Sequence, residues 1–285
     1  MSTVQSPPSA GRLTGSAGAP SLPEGARQVT LVRVLRSEWT KLWSLRSTRW
    51  SFAVAFITMA GLGPLIAFFE MNRWNQLSLS DRLLIDPIDK SLGGHYFAQL
   101  AIGVLGVLVI SGEYGTGQIR STLLAVPKRL PVLWAKILVF SAVTFVLMII
   151  AAFIGFFAAN AIFTQHHVNV GIGAPHALRS IIGAALYVTF TGILCTALGT
   201  IVRATAGGIS SFVVILFVLP PVLFLLPSSL HDSINPYLPS VAGAAVATAV
   251  PDPHTFSPWG GFALYVGYVL FAVAVAAVLL KTRDA

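Results

Sequence analysis

The sequence contains little charge and a single cysteine. Of its 285 residues, 10% are Asp, Glu, Lys or Arg, and 55% are hydrophobic. A soluble domain of this length cannot bury so much apolar surface in one core, so the composition excludes a soluble protein and indicates an integral membrane protein. The lone Cys195 excludes an internal disulfide framework, and its position within an apolar run predicts a small core residue.

The chain also lacks the common motifs of nucleotide binding and hydrolysis. No G-x-x-x-x-G-K-[ST], H-E-x-x-H or G-x-S-x-G pattern occurs anywhere in it. We therefore predict no catalytic residue and no phosphate-loop ATP site in this chain. An intramembrane enzyme is disfavoured because no nucleophile, base or metal cluster falls at membrane depth.

Ionisable side chains are missing from the middle of the apolar runs. Such groups usually mark ion pathways and proton relays, because burying a charge in a membrane is costly. The nearest candidates, Lys136 and Arg179, lie near the ends of their runs, where we expect them to extend towards the membrane surface. This pattern argues against a stand-alone secondary transporter or channel.

The six histidines do not form a recognisable metal site. His166, His167 and His176 are the likeliest group, but their spacing matches no standard ligand pattern and no cysteine lies near them. We predict solvated loop histidines and no metal ligand.

Six apolar runs are long enough to cross a bilayer as helices, and they lack the short alternating pattern of barrel strands. Pro64 interrupts the first run and Pro220-Pro221 the fifth, where we expect kinks. The predicted fold class is therefore all-α integral membrane with six transmembrane helices, at about 50–69, 95–112, 132–163, 179–202, 207–226 and 260–280.

The basic residues predict the orientation of these spans. With the N-terminus inside, all but four of the 18 Lys and Arg residues fall on the cytoplasmic side, in agreement with the positive-inside rule. We therefore predict a multi-pass protein of the cell (plasma) membrane with both termini cytoplasmic, and no binding to nucleic acid. The four basic residues on the outer side are Arg73, Arg82, Lys90 and Arg179.

Two segments precede the first span. Residues 1–29 are rich in Ser, Pro, Gly and Ala and predict a disordered cytoplasmic tail. Residues 30–46 predict an amphipathic "elbow" helix on the membrane surface, and a plain juxtamembrane helix is the alternative. The predicted apolar stripe consists of Leu31, Leu35, Trp39 and Leu42, with Arg33, Ser37, Lys41 and Ser44 on the opposite face.

The segment 227–258, between the fifth and sixth runs, is rich in proline. Its apolar stretch, Val241–Val250, is too short to cross a bilayer, since a spanning helix needs about 20 residues. We predict a re-entrant or outer-surface helical hairpin before span 6.

The loop 112–131 is the most elaborate polar segment of the chain. Glu113 follows the second run, and the glycines at 115 and 117 predict a sharp turn in which the hydroxyl of Thr116 caps the next helix. Residues 118–126 predict a short helix with Ile119 on its apolar face and Arg120 and Thr122 off that face, available to a partner. A capped connection between two spans, with Glu113 paired to a local arginine, is the structural alternative.

Two segments resemble the permease subunit of ABC-2 type transporters, in its actinobacterial form. They are residues 37–48, Ser-Glu-Trp-Thr-Lys-Leu-Trp-Ser-Leu-Arg-Ser-Thr, and residues 112–123, Gly-Glu-Tyr-Gly-Thr-Gly-Gln-Ile-Arg-Ser-Thr-Leu. Residues 236–243, Pro-Tyr-Leu-Pro-Ser-Val-Ala-Gly, are also similar. The likeness covers about residues 30–280, within a single six-helix permease domain at 30–285.

This resemblance implies a non-catalytic subunit of an exporter for a hydrophobic or amphipathic compound such as a drug, antibiotic or lipid. It implies a second permease copy and a separate P-loop ATPase, which would bind the ATP and Mg, so that this chain has no cofactor of its own. A cytoplasmic coupling helix between spans 2 and 3 would dock that ATPase. The implied interface residues are Glu113, Tyr114, Gly115, Thr116, Gly117, Ile119, Arg120 and Thr122 in the loop, with Arg33, Glu38, Trp39 and Lys41 on the elbow helix.

Overall fold

The computed structural model describes residues 30–83, 85–119, 122, 129–168 and 170–282. All regular structure in these ranges is helical, and none of them contains a strand. The predicted tail at 1–29 lies outside the described residues. The helices are α1 (Leu31–Ser44), α2 (Arg46–Asn72), α3 (Leu79–Leu83), α4 (Pro87–Leu92), α5 (His95–Gly115), α6 (Leu130–Phe163), α7 (Ala177–Val202), α8 (Thr205–Val213), α9 (Leu219–Leu223), α10 (Ser228–Ile234), α11 (Pro239–Ala244) and α12 (Pro258–Thr282).

Six helical segments are long and apolar enough to cross a membrane, which indicates a multi-pass membrane protein. Each coincides with a predicted run and extends beyond one or both of its predicted ends, except that the fifth ends three residues earlier. The extra turns are less apolar than the centres, so hydropathy alone does not locate them. The six segments are Arg46–Asn72, Pro87–Gly115, Leu130–His166, Ala177–Val202, Thr205–Leu223 and Pro258–Thr282.

The first and second helices are separated by one residue. Leu45 adopts an extended conformation, with φ −86° and ψ 124°, and this breaks the helical path between α1 and α2. The chain therefore turns from the short elbow helix into the first candidate span without a loop. Helix α2 itself continues through Pro64, and the kink expected there stays a prediction.

Helix α7 lies at the centre of the bundle and is the most buried of the candidate spans. Small residues allow its neighbours to approach closely, as is usual for helix packing in membranes. A Cβ atom at Gly106 of α5 would lie 2.6 Å from the carbonyl oxygen of Gly192 in α7. The backbones of these two central helices are therefore in direct contact.

The fifth candidate span changes its helical pitch. Residues Val214–Val218 form a π-helix between α8 and α9. Pro220 and Pro221 lack the N–H groups that would otherwise bond to the carbonyls of Leu216 and Phe217, both within that π-helix. The predicted kink at the two prolines thus takes the form of a wider helical turn immediately before them.

The two ends of the bundle differ in structure. We call the end formed by α1, the end of α5 and the start of α6 the elbow end, and the opposite end the far end. At the far end, Asp89 Oδ1 accepts a hydrogen bond of 2.7 Å from the Ala249 N–H, and Arg179 donates to the Thr248 carbonyl over 2.7 Å. These bonds fasten the segment that follows α11 to the bundle.

The predicted hairpin at 227–258 is only partly helical. It contains α10, a 3₁₀ turn at Asn235–Tyr237 and α11, and the apolar stretch Val241–Val250 is helical only as far as Ala244. Gly243 of α11 packs so closely on Tyr187 that a Cβ atom there would lie 2.5 Å from the ring. The position of this segment relative to the membrane stays a prediction.

Candidate functional site

Four charged side chains meet at the elbow end of the bundle, and we call them the elbow cluster: Glu38, Lys41, Glu113 and Lys136. The Lys136 ammonium lies 2.6 Å from Glu38 Oε2 and 3.0 Å from Glu113 Oε1. The Lys41 ammonium lies 2.9 Å from Glu38 Oε1 and 3.0 Å from Glu113 Oε1. Each lysine therefore bridges both carboxylates, and the cluster joins α1, α5 and α6.

The local sequence explains how these side chains come together. Glu38 and Lys41 are three residues apart in α1 and therefore lie on one face of that helix. Glu113 lies in the last turn of α5, and Lys136 lies in the second turn of α6. The connection between α5 and α6 returns the chain to the same end of the bundle, which places Glu113 beside Lys136.

The elbow cluster is deeply buried. The exposed fraction of the side chain is 3% for Lys136, 4% for Glu38 and 7% for Glu113, against 26% for Lys41. A single buried charge in such a place would lose its hydration without compensation. Two cations facing two anions balance the charge, so the cluster is stable only as a complete set.

Lys41 stays protonated in this arrangement. Burial lowers the pKa of its ammonium group, but hydrogen bonds and charge attraction from Glu38 and Glu113 outweigh that effect, so the pKa lies above its ordinary value. The positive charge of Lys41 is thus maintained throughout the physiological pH range.

Two further side chains at the end of α5 contact other helices. Ser111 accepts a hydrogen bond of 2.9 Å from the hydroxyl of Thr205, at the start of the fifth candidate span. The guanidinium carbon of Arg203 lies 5.2 Å from the centre of the Tyr114 ring, and Arg203 also donates to the Leu279 carbonyl of α12 over 3.5 Å. Within four residues, α5 is therefore connected to α1, α6 and the fifth candidate span, and through Arg203 to α12.

The turn after α5 forms as predicted. Gly117 has a φ of +70°, a conformation that favours glycine and reverses the chain direction. The Thr116 hydroxyl donates to the Gly112 carbonyl over 2.9 Å, so it bonds back to the helix that ends. Its capping of the next helix stays a prediction, because most of that helix lies outside the described residues.

The rest of the predicted coupling helix is described at three residues. Gln118, Ile119 and Thr122 have helical backbone, and Ile119 is buried, as its place on the apolar face predicted. The Thr122 hydroxyl accepts a hydrogen bond of 3.4 Å from Lys41, so the elbow helix also contacts the loop directly. Arg120 lies outside the described residues, and its role stays a prediction.

The face of the elbow helix that packs against the bundle differs from the predicted stripe. The buried residues of α1 are Val34, Glu38 and Leu42, whereas Leu31 and Trp39 are each 51% exposed. Arg33 is exposed. Of these buried residues only Leu42 belongs to the predicted stripe, and Glu38 is buried because its charge is paired.

Lys136 is buried between the carboxylates of Glu38 and Glu113, a pairing that the sequence did not predict. Its expected extension towards the membrane surface stays a prediction. Among the described residues, Lys41 and Lys136 form ion pairs with Glu113. The alternative pairing of Glu113 with a local arginine stays a prediction, because Arg120 lies outside those residues. The sequence did contain a signal for the pairing of Lys136 with Glu113. Lys136 is a lone lysine near the start of the third apolar run, and Glu113 is a lone glutamate just after the second run.

A cavity of about 290 Å³ adjoins the elbow cluster. Its walls include Glu38, Glu113 and Lys136 together with apolar residues of α5 and α6 such as Leu105 and Phe140. Glu113 Oε2 is buried and has no hydrogen-bond partner among the residues that the structure describes. The elbow cluster thus lies beside a cavity.

The arrangement contains no nucleophile activated by a base. In the described part of the chain, no group of three or more His, Cys, Asp or Glu residues is placed to hold a metal ion. No protein-family model matches this sequence, and a search of curated proteins also finds no match. What the site offers is a mechanical connection between a polar loop and several candidate spans.

Proposed function

We propose that this chain is the membrane-spanning subunit of an ATP-driven transporter of the ABC-2 type. In this proposal the loop 112–131 is a coupling element that docks a separate P-loop ATPase on the cytoplasmic side. A second permease copy completes the pathway through the cell membrane, and the cargo is a hydrophobic or amphipathic compound that is exported.

One observation carries this proposal: the end of α5 is connected to several helices around it, namely α1, α6, the fifth candidate span and, through Arg203, α12. Ser111 contacts the fifth candidate span, and Tyr114 contacts Arg203. Glu113, between them, belongs to the elbow cluster. Because these contacts lie immediately before the loop, a force applied to the loop reaches α1, α6 and α12 together. A subunit that is driven by a partner requires such a connection, whereas a passive loop between two spans does not.

The nature of the candidate spans supports the choice of cargo. The buried side chains of α7 are apolar or uncharged, and the hydroxyls of Thr189, Thr191 and Thr196 donate to carbonyls of their own helix. An interior of this kind offers no compensation to a charged solute that leaves water. It suits a compound that is itself largely apolar.

The alternative of a secondary transporter has one observation in its favour. Buried ionisable groups in candidate spans often belong to proton or ion pathways, and Glu113 and Lys136 are such groups. Transport by proteoliposomes that contain this chain alone, driven by a proton or sodium gradient without any ATPase, would support this alternative. Transport that requires an ATPase and ATP would support our proposal.

We predict that Gly115→Trp prevents docking of the ATPase without disturbing the fold. Gly115 is exposed, and a Cβ atom there meets nothing within 4 Å, so a large side chain projects from the loop surface. We expect loss of at least about tenfold in the amount of a P-loop ATPase that co-purifies with the tagged chain, since a bulky group in a docking surface disrupts its packing. The partner to co-express is a P-loop ATPase encoded beside the gene for this chain.

The matched control is Gly173→Trp, at the far end of the bundle. Gly173 is also exposed, and a Cβ atom there also meets nothing within 4 Å. This variant is expected to retain the ATPase and its ATP hydrolysis. The proposal fails if wild-type chain retains no P-loop ATPase, or if the two variants retain it equally.

A further inference from the structure

A second cavity lies at the far end of the bundle, remote from the elbow cluster. Its volume is about 390 Å³, within the range of about 300–1,000 Å³ that is usual for small-molecule sites. Its walls come from α5, α7, the fifth candidate span and the segment that contains α11. The cavity is therefore lined by three candidate spans and by the far-end segment.

Two buried side-chain oxygens of residues that line this cavity have no hydrogen-bond partner among the described residues. The first is Oε1 of Gln99 in α5, a residue that is 2% exposed and whose amide also contacts the Tyr187 hydroxyl. The Ser240 hydroxyl, on the opposite wall, is buried and likewise has no partner among them. An unpaired buried polar group is destabilising, so its retention indicates that something else supplies the missing bond.

The remaining walls combine aromatic and apolar residues with the polar side chains of Asn235, Thr248 and Thr255. Tyr96 and Tyr187 lie on the side of α5 and α7, and Phe217 lies opposite, within the π-helix. π-Helical turns are frequent at functional sites, because the extra residue in the turn redirects side chains. Here the turn places Leu216 and Phe217 at the cavity wall.

The charge of the cavity restricts its ligand. Asp252 is exposed at its rim, and the described lining residues include no Lys, Arg or His. An anion would therefore find no cationic partner and would face a carboxylate. A neutral or cationic molecule meets no such penalty.

We infer that this cavity binds a neutral or cationic amphipathic compound, whose aromatic or apolar body lies between Tyr96, Tyr187 and Phe217. An N–H or O–H group of that compound donates to Gln99 Oε1. This binding is a property of the chain alone and does not depend on an ATPase partner, so it stands or falls separately from the proposed function.

The probe for this site is N-phenyl-1-naphthylamine, a neutral aromatic amine with one N–H donor and fluorescence that rises in apolar surroundings. We expect saturable binding to the chain in lipid nanodiscs, after subtraction of the signal from empty nanodiscs. Its anionic counterpart, 8-anilinonaphthalene-1-sulfonate, has the same aromatic body and is expected to bind at least about tenfold more weakly, because its sulfonate faces Asp252 without a cation.

Gln99→Leu is expected to weaken binding of the amine about tenfold, because the buried amide oxygen that accepts its N–H is lost. Ala244→Phe fills the cavity from α11 and is expected to abolish saturable binding. Gln165→Leu, an exposed position at the same end of the bundle, is the control and should bind as wild type does.

Three results would overturn this inference. They are the absence of saturable binding to wild type, equal affinity of Gln99→Leu and wild type, and unchanged binding by Ala244→Phe. If Gln99→Leu does not fold, the comparison of Ala244→Phe with Gln165→Leu decides the matter.

Discussion

Lys136→Met lowers the free energy of unfolding by about 3–5 kcal/mol, the usual cost of removing one partner from a buried ion pair. Met has a similar length and fills the same space, so the loss comes from charge rather than volume. Without Lys136, the carboxylates of Glu38 and Glu113 share one cation, Lys41, which is itself partly exposed. Unfolding in detergent, followed by circular dichroism against a denaturant titration, measures this loss.

The chain provides a matched control in a second lysine–glutamate pair. Lys90 lies 3.1 Å from Glu70, but the exposed fractions of their side chains are 40% and 19%. Lys90→Met is therefore expected to change the free energy of unfolding by only about 0–1 kcal/mol, as for a pair that solvent screens. Losses of equal size in the two variants would contradict the burial argument.

A double variant separates charge from packing at the elbow cluster. In Lys136→Met with Glu38→Gln, one cation and one anion remain, Lys41 and Glu113, which are 3.0 Å apart. We expect this double variant to be more stable than Lys136→Met alone, because the excess negative charge is gone. A double variant that is less stable than Lys136→Met would show that the hydrogen bonds of Glu38 matter more than the charge balance.

Gly63→Ala is expected to lower the free energy of unfolding by more than about 2 kcal/mol. A Cβ atom at Gly63 would overlap the carbonyl oxygen of Ser91, a backbone atom of α4 that cannot rotate away. Helices α2 and α4 would have to separate to make room. The same denaturant titration measures the effect.

Gly61→Ala, two residues earlier in α2, is the control. Its expected effect on the free energy of unfolding has the opposite sign. A Cβ atom there meets nothing within 4 Å. Alanine is the better helix former by about 0.5–1 kcal/mol, so this variant should be slightly more stable than wild type. If both variants shift stability in the same direction, the close approach of α2 and α4 does not explain the need for glycine at position 63.

Some features of the fold could be predicted from the sequence, and others only in part. The six long helices follow from apolar runs, because hydropathy is a local property that each segment carries by itself. The turn at Gly117 also follows from local chemistry, since few other residues adopt a positive φ. The sequence predicted only a kink near the π-helix at Val214–Val218. Pro220 and Pro221 show that two carbonyls lose their hydrogen-bond donors, but they do not show how the helix accommodates this loss.

The far-end cavity with its unpaired oxygens could not be predicted from the sequence. Gln99 and Ser240 are 141 positions apart in the printed sequence, and neither belongs to a recognisable motif. Whether a buried amide is satisfied depends on every side chain around it, so no local pattern could reveal an unpaired oxygen beside a cavity.

By itself, the sequence determined that this protein is a bundle of apolar helices long enough to cross a membrane, with an amphipathic helix at its start and a polar loop after its second span. Only the tertiary structure decided that Lys136 turns inward and that Glu38 lies on the buried face of the elbow helix. The reason is that burial of a charge is settled by its partners, and here those partners come from three helices that are distant in sequence.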